Sequence, residues 1–377
     1  MVNASTAAVQ GTRSVIRHLN AAKGAKQDEF YTELSDIEKE LRHYRTHFKG
    51  KVVYLNCDDP RESNFFRYFS YNFEKLGLKK LIASCYKSRD ADLFSQYDSE
   101  EAVYLEYDGD RNDNRVPDPG EIGIKCFHGD GDFRSAESIA LLQQADIVVT
   151  NPPFSLFREF VAQLMAHDKN FLIVGNQGAI TYKETFPLIA ANRMWLGVNN
   201  GDMKFRIPDH YEARETRFWV DENGQQWRSL GNACWFTNLD IAKRHEDLIL
   251  YRRYDPDVYP TYDNYDAIEV SKTSEIPEDY TGVMGVPVTF LDKHNPDQFE
   301  ILGTTQRGCH AAVPDTKKYD RYREMRPDGS PTGSSGGKTN ENANLAGNDG
   351  KKNYFINDEG HIVQATYKRI FIRRKEA

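Results

Sequence analysis

The chain has 377 residues, enough for a sizeable buried core and for two domains or one domain with large insertions. With 39% hydrophobic and 28% charged residues and no run of about 18 apolar residues, it reads as soluble and globular and excludes a membrane-spanning helix. The net charge of −8 excludes a uniformly basic nucleic-acid binder, though not a local basic groove.

The basic residues do cluster. Residues 1–26 carry Arg13, Arg17, Lys23 and Lys26 and no acid, and read with residue 27 as a flexible basic arm. Lys368, Arg369, Arg373, Arg374 and Lys375 face only Glu376, whereas Arg307, Lys317, Lys318, Arg321, Arg323 and Arg326 are diluted by acids. No apolar signal-peptide core follows Arg13 and Arg17, which points to a cytoplasmic chain. The five cysteines, Cys57, Cys85, Cys126, Cys234 and Cys309, form no C-x-x-C pair and indicate neither a metal site nor a disulfide framework.

Apolar residues at Leu34, Ile37, Leu41, Tyr44 and Phe48 recur every three or four positions and predict a helix. A β-branched run, KVVYLNC (51–57), predicts the first long strand, and SNFFRYFSYNFEKLG (63–77) a helix closed by Gly77. KKLIASCY (79–86) is a second strand, and the acidic stretch 88–121 a surface excursion holding one strand, AVYLEY (102–107). Then come a helix (135–145), the buried strand DIVVT (146–150), a helix (155–167) and the buried strand NFLIVG (170–175). A helix at 182–191 and strands at 193–198 and 233–239 follow. Strands alternating with helices predict βαβ units and a mostly parallel sheet, with an antiparallel hairpin at one edge. Beyond about 245 the alternation stops, leaving strands at 285–291, 298–305 and 366–375 and a flexible Gly/Ser/Asn-rich loop at 327–353.

The strongest chemical signal is Asn151-Pro152-Pro153-Phe154, directly after DIVVT. Asn-Pro alone starts turns. Here the turn sits at the carboxyl end of a buried strand, where open α/β sheets bind ligands. An exocyclic aromatic amine is a poor nucleophile because its lone pair is delocalised into the ring. Two acceptors aimed at its N–H bonds favour a pyramidal nitrogen. The Asn151 side-chain oxygen is one and the Pro152 carbonyl the other. The prolines fix φ and hold the carbonyls still. Phe154 offers a face for an extruded base. Gly129-Asp130-Gly131-Asp132-Phe133, before the helix at 135, is a turn in its own right; its place before the motif strand gives it a cofactor role, with Asp132 accepting from an adenine amino group and Phe133 stacking on that ring. His43 and His47 lack the glutamate of a zinc-binding helix, and no metal site is expected.

These pieces, with DEFYT (28–32), KVVYLNCDDPR (51–61), LGLKKLIASCY (76–86), GDGDFRS (129–135), DIVVTNPPFSLFRE (146–159), YDNYDAI (262–268) and GVMGVP (282–287), make the chain resemble the EcoRI-type adenine-specific DNA methyltransferases. The resemblance implies a Rossmann-like, class I S-adenosylmethionine-dependent methyltransferase fold, S-adenosylmethionine as methyl donor, and adenine N6 in double-stranded DNA as acceptor. It implies cofactor contacts from Phe30, Tyr31 and Thr32, from Asn56, Cys57 and Asp58, from Ser84 and Cys85, and from Asp132 and Phe133. Asn151, Pro152, Pro153 and Phe154 become the catalytic motif. A catalytic domain over 28–245 is expected, with 199–230 as a DNA-facing insertion and 246–377 as a target-recognition region. Asn-Pro-Pro-aromatic also serves RNA and protein-glutamine methyltransferases, and a DNA-binding relative without catalysis is the non-enzyme alternative. No membrane and no obligatory protein partner is expected.

Overall fold

The computed structural model describes residues 31–60, 63–86, 102–112, 114, 117, 121–207, 216–305, 317–334, 340 and 342–375. The arm at 1–27, Phe30, Arg307 and Cys309 lie outside them. Two compact units are formed, one of Met1–Gln177 with Leu196–Leu239 and the other of Gly178–Trp195 with Asp240–Ala377. The second unit thus takes 178–195 from the middle of the chain. Among the described residues no helix is long and apolar enough to cross a membrane.

The first unit is built on one large mixed sheet. Its strands include β1 (Tyr31–Thr32), β2 (Val52–Cys57), β3 (Lys80–Cys85), β4 (Val103–Tyr107), β5 (Gly123–Cys126), β6 (Ile147–Thr150), β7 (Asn170–Asn176), β8 (Gly201–Arg206), β9 (Phe218–Val220) and β10 (Gln226–Thr237). The order is β1-β8-β10-β7-β6-β2-β3-β4-β5, with β9 added to β10. The centre, β7-β6-β2-β3, is parallel. Val53, Leu81, Ile82, Ile147, Val148 and Leu172 are almost fully buried, as expected of strands covered on both faces. Antiparallel strands flank this centre on both sides: β4 and β5 beyond β3, and β10, β8 and β1 beyond β7. The strand read at 233–239 is therefore interior, between β7 and β8. Gly197 N still donates to Trp235 O at 2.9 Å, the contact expected between 193–198 and 233–239.

Helices α1 (Leu34–Leu41), α2 (Asn64–Tyr71), α3 (Ala136–Gln144) and α4 (Phe157–Ala166) belong to this unit. Two helices end earlier than their periodicity suggests. The first stops at Leu41 and a short turn, Arg45–Phe48, resumes it. The second is interrupted at Asn72, whose side chain donates back to Tyr68 O at 2.8 Å and competes with the helical ladder. The caps follow the sequence: Ser63 and Ser135 accept from Phe66 N and Ser138 N. Phe157, Phe160, Val161 and Leu164 form the buried stripe of α4. The buried Glu40 carboxylate accepts from Tyr44 Oη, Val198 N, Asn199 N and Asn199 Nδ2, all at 2.7–2.9 Å, so its charge is hydrogen-bonded on every side.

The second unit carries two small sheets. Strands β11 (Ile268–Glu269), β12 (Met284–Pro287), β13 (Phe299–Thr304) and β18 (Arg369–Arg374) form one, in the order β11-β12-β18-β13. The strand expected to run to 291 stops at Pro287, which has no N–H to extend the ladder, and Val288–Lys293 winds into a 3-10 turn. Arg369 clamps the buried Glu269 through two nitrogens, and Tyr262 donates to the same carboxylate. Strands β14 (Arg323–Met325), β15 (Asn344–Ala346), β16 (Tyr354–Ile356) and β17 (Ile362–Ala365) form the other sheet, in the order β14-β16-β17-β15. The 327–353 stretch thus contains one paired strand, β15, against β17.

Candidate active site

Three neighbouring parallel strands, β6, β2 and β3, end on the same side of the sheet and deliver the motif residues there. Thr150, the last residue of β6, donates its hydroxyl to Asn56 O on β2, which ties the two strand ends together. The chain then enters Asn151 and Pro152, both buried. Pro153 O accepts from Leu156 N at 2.9 Å, and Phe154 opens a 3-10 turn, Phe154–Leu156, that leads into α4. The Pro153 carbonyl thus belongs to this turn.

Asn151 is 6% exposed, and its Nδ2 donates to Thr32 Oγ1 at 3.3 Å. That bond turns the Nδ2 end of the amide towards Thr32. Thr32 sits on β1, paired through its backbone with Phe205 of β8. Its own carbonyl accepts from Asn64 Nδ2, at the start of α2, at 2.9 Å. The structure thus joins Thr32 to Asn151 and adds Asn64, which sequence reasoning did not single out. Its only sequence signal is its place behind the N-cap Ser63.

At the end of β2, Asn56 is 5% exposed and its Oδ1 has no hydrogen-bond partner. A buried acceptor left unmatched costs about 1–3 kcal/mol, which a bound donor would recover. Cys57 follows with φ +90, a region that L residues enter only at a cost of about 1–3 kcal/mol and that is concentrated at functional turns. Asp58 accepts from Ser63 Oγ at 3.2 Å, on the cap of α2.

At the end of β3, Ser84 is buried and shares a hydrogen bond of 2.7 Å with Tyr54 Oη. Burial pushes the Tyr54 phenol well above its usual range, so it stays protonated. The Cys85 carbonyl lies against the 129–133 loop. A Cβ on Gly131 would fall 2.4 Å from it, and Gly131 has φ +72, so glycine is required twice over. Asp132 is gripped by Arg134: Oδ1 accepts from Arg134 N and Nε at 2.8 and 2.9 Å, and Oδ2 from a terminal guanidinium nitrogen at 2.7 Å. These bonds to Arg134 hold the Asp132 carboxyl below the usual carboxylate range. Arg134 also reaches Glu159 on α4 at 2.8 Å. Phe133 packs edge-on to Phe160, ring centroids 5.2 Å apart, with the Arg134 guanidinium 5.2 Å from its own ring centre. Tyr31 carries the Arg206 guanidinium 4.9 Å from its ring centre. Among the described residues no group of His, Cys, Asp or Glu could hold a metal ion.

Residues 18–375 match the family model described as adenine-specific methyltransferase EcoRI. The chain is 54% identical over 288 residues to the type II methyltransferase M.EcoRI of Escherichia coli, covering 75% of this chain and 88% of that protein. It is 41% identical over 313 residues to the type II methyltransferase M.MpnI of Mycoplasma pneumoniae, covering 81% and 91%. It is 38% identical over 294 residues to M.MgeORF184P of Mycoplasma genitalium, covering 76% and 86%. No solved structure matches the chain. By motif, by family model and by relatives, the chain belongs to the EcoRI family of adenine-specific methyltransferases.

Proposed function

We propose that the chain methylates N6 of adenine in specific sites of duplex DNA, with S-adenosylmethionine as donor, on a class I methyltransferase sheet. The observation that carries this reading is the buried Asn151 amide, oriented by Thr32 at the carboxyl end of β6 and followed by Pro152, Pro153 and Phe154. When bound, S-adenosylmethionine supplies a methyl carbon on a positively charged sulfur. The residues present fit it. Asn56 Oδ1 offers an unmatched buried acceptor for a cationic donor such as an α-ammonium. An ionised carboxylate offers about four lone-pair positions; Arg134 takes three on Asp132, and one on Oδ2 remains to accept from an amino group. Phe133, held by Phe160 and Arg134, forms part of the wall there. Tyr31, Thr32, Cys57, Asp58, Ser84 and Cys85 complete the surroundings in this reading, some by shaping turns and strand ends.

The chain's own contribution to catalysis is positioning and fixed dipoles. Asn151 Oδ1 and Pro152 O accept the two N–H bonds of the adenine amine and keep its lone pair out of the ring. The two prolines prevent these acceptors from relaxing away. Phe154 stacks on the base once it has left the duplex. The second unit, with 199–230, would select the site. The reading places the protein in the cytoplasm, with the DNA.

The test is transfer of labelled methyl groups to duplex DNA, RNA and protein in parallel. N6-methyladenine at a fixed site in DNA is the expected product. Label in RNA or in protein glutamine, with none in DNA, would overturn the reading.

A further inference from the structure

Trp219, Trp227, Arg206 and Tyr31 stand directly opposite one another on four successive strands, β9, β10, β8 and β1. Residues paired in this way project from the same side of the sheet. The other side of β8 is the buried one, carrying Met203 and Phe205. The row therefore runs across the solvent side.

It is a built surface. Trp219 and Trp227 stack with ring centroids 6.4 Å apart and planes 11° from parallel. Trp227 Nε1 donates to Asp221 Oδ2 at 2.9 Å, while Asp221 Oδ1 accepts from Asn223 N and Gln225 N, so the inner ring is pinned. Trp219, the outer ring, is 36% exposed. Lys204, two residues from Arg206 and on the same side, holds its Nζ 6.0 Å from the Trp219 ring centre. The Arg206 guanidinium lies 4.9 Å from the Tyr31 ring centre. The row carries two cation–aromatic pairs, the combination by which proteins take a nucleobase on a ring and the adjoining phosphate on a cation. Asp202, which shares this side, is engaged by Arg217 at 3.2 Å and by Ser229 Oγ.

The row also has a place relative to the chemistry. Its last member, Tyr31, is the chain neighbour of Thr32, whose side chain turns to the opposite, buried face of β1 and bonds Asn151. Strands lie about 4.8 Å apart, so three steps from Tyr31 to Trp219 span about 14 Å. At about 3.4 Å per base pair that is roughly four base pairs. We propose that this face grips the DNA flanking the target adenine, with Trp219 stacking on a nucleobase and Lys204 and Arg206 facing the phosphates. The proposal rests on the DNA-methylating reading and adds to it the residues that hold the flank.

The experiment compares wild type, Trp219→Ala, Trp219→Phe and Lys204→Ala on one cognate duplex. Affinity is measured across a salt series, Trp fluorescence on titration, and methyl transfer on the same duplex; unfolding temperature shows that each variant is folded. Trp219→Ala is expected to weaken binding roughly 5- to 150-fold, the loss of one base–aromatic stack, and Trp219→Phe to keep most of the affinity. DNA is expected to quench wild-type fluorescence, with much of that quenching gone in Trp219→Phe. Lys204→Ala is expected to reduce the slope of log affinity against log salt by about 0.9. Folded Trp219→Ala and Lys204→Ala that bind and methylate like wild type would overturn the proposal and leave the functional reading intact. So would a changed oligomeric state with unchanged DNA affinity, which would mark a self-association face. Wild type that methylates no DNA would overturn both.

Discussion

Replacing Thr32 with valine deletes one hydroxyl and keeps nearly everything else. The pairing with Phe205 and the bond from Asn64 Nδ2 use Thr32 backbone atoms, which valine retains. What is lost is the acceptor for Asn151 Nδ2, 3.3 Å away and 119 positions along the chain. A neutral hydrogen bond is worth about 1 kcal/mol net, and a buried donor left unmatched costs about 1–3 kcal/mol. If the bond only stabilised the fold, that cost would appear in the unfolding free energy and the rate would be unchanged. If it aims the amide, the same 1–3 kcal/mol enters the barrier, and transfer slows roughly 5- to 150-fold. The assay is single-turnover methyl transfer to a one-site duplex at saturating donor, with donor affinity measured separately. Thr32→Val is expected to lose rate at saturation and Thr32→Ser to recover most of it. A wild-type rate in Thr32→Val, or a loss confined to donor affinity, would refute the positioning role.

Two other outcomes follow from the same structure. Gly131→Ala must move the Cys85 carbonyl and hold an L residue at φ +72, at a cost of about 1–3 kcal/mol; weaker donor binding by calorimetry is expected, and unaltered affinity with unaltered unfolding would contradict it. His294 is buried, its Nε2 donates to Phe299 O at 3.1 Å, and burial lowers its pKa from 6.5 to about 4. The unfolded chain therefore binds a proton that the folded one refuses between those values, and stability falls as pH drops from about 6.5 to about 4, by about 3 kcal/mol in total. Unfolding free energies over this range should fall less steeply with acid in His294→Gln than in wild type; equal slopes would contradict the assignment.

Sequence legibility followed the range of the interactions. The strand DIVVT and the motif behind it were readable because a buried strand and a Pro-Pro turn are written within nine residues, 146–154. The parallel centre was readable from alternating strands and helices. Of the antiparallel flanks only an edge hairpin was expected: β10 lies between β7 and β8, and β1 closes on β8, by pairings between residues far apart in the chain. The same applies to the site. Local spacing identified Asn151 and placed Asp132 in a turn, but no pattern shows that Thr32 orients Asn151. Nor does it show that Arg134, two residues from Asp132, occupies most of that carboxylate. Ser84 is marked only by the family resemblance and Tyr54 only as a strand residue; their hydrogen bond depends on the register of β2 and β3. Interruptions at Asn72 and Pro287 end elements that hydrophobic periodicity would have continued.

The central claim is that the Asn151 amide readies an aromatic amine for methylation. Asn151→Ala tests it most directly, in single-turnover formation of N6-methyladenine in duplex DNA with donor affinity measured alongside. Loss of one fixed dipole acceptor is expected to cost about 10²–10³-fold in rate while donor binding persists. A variant that forms N6-methyladenine at the wild-type rate would contradict the account.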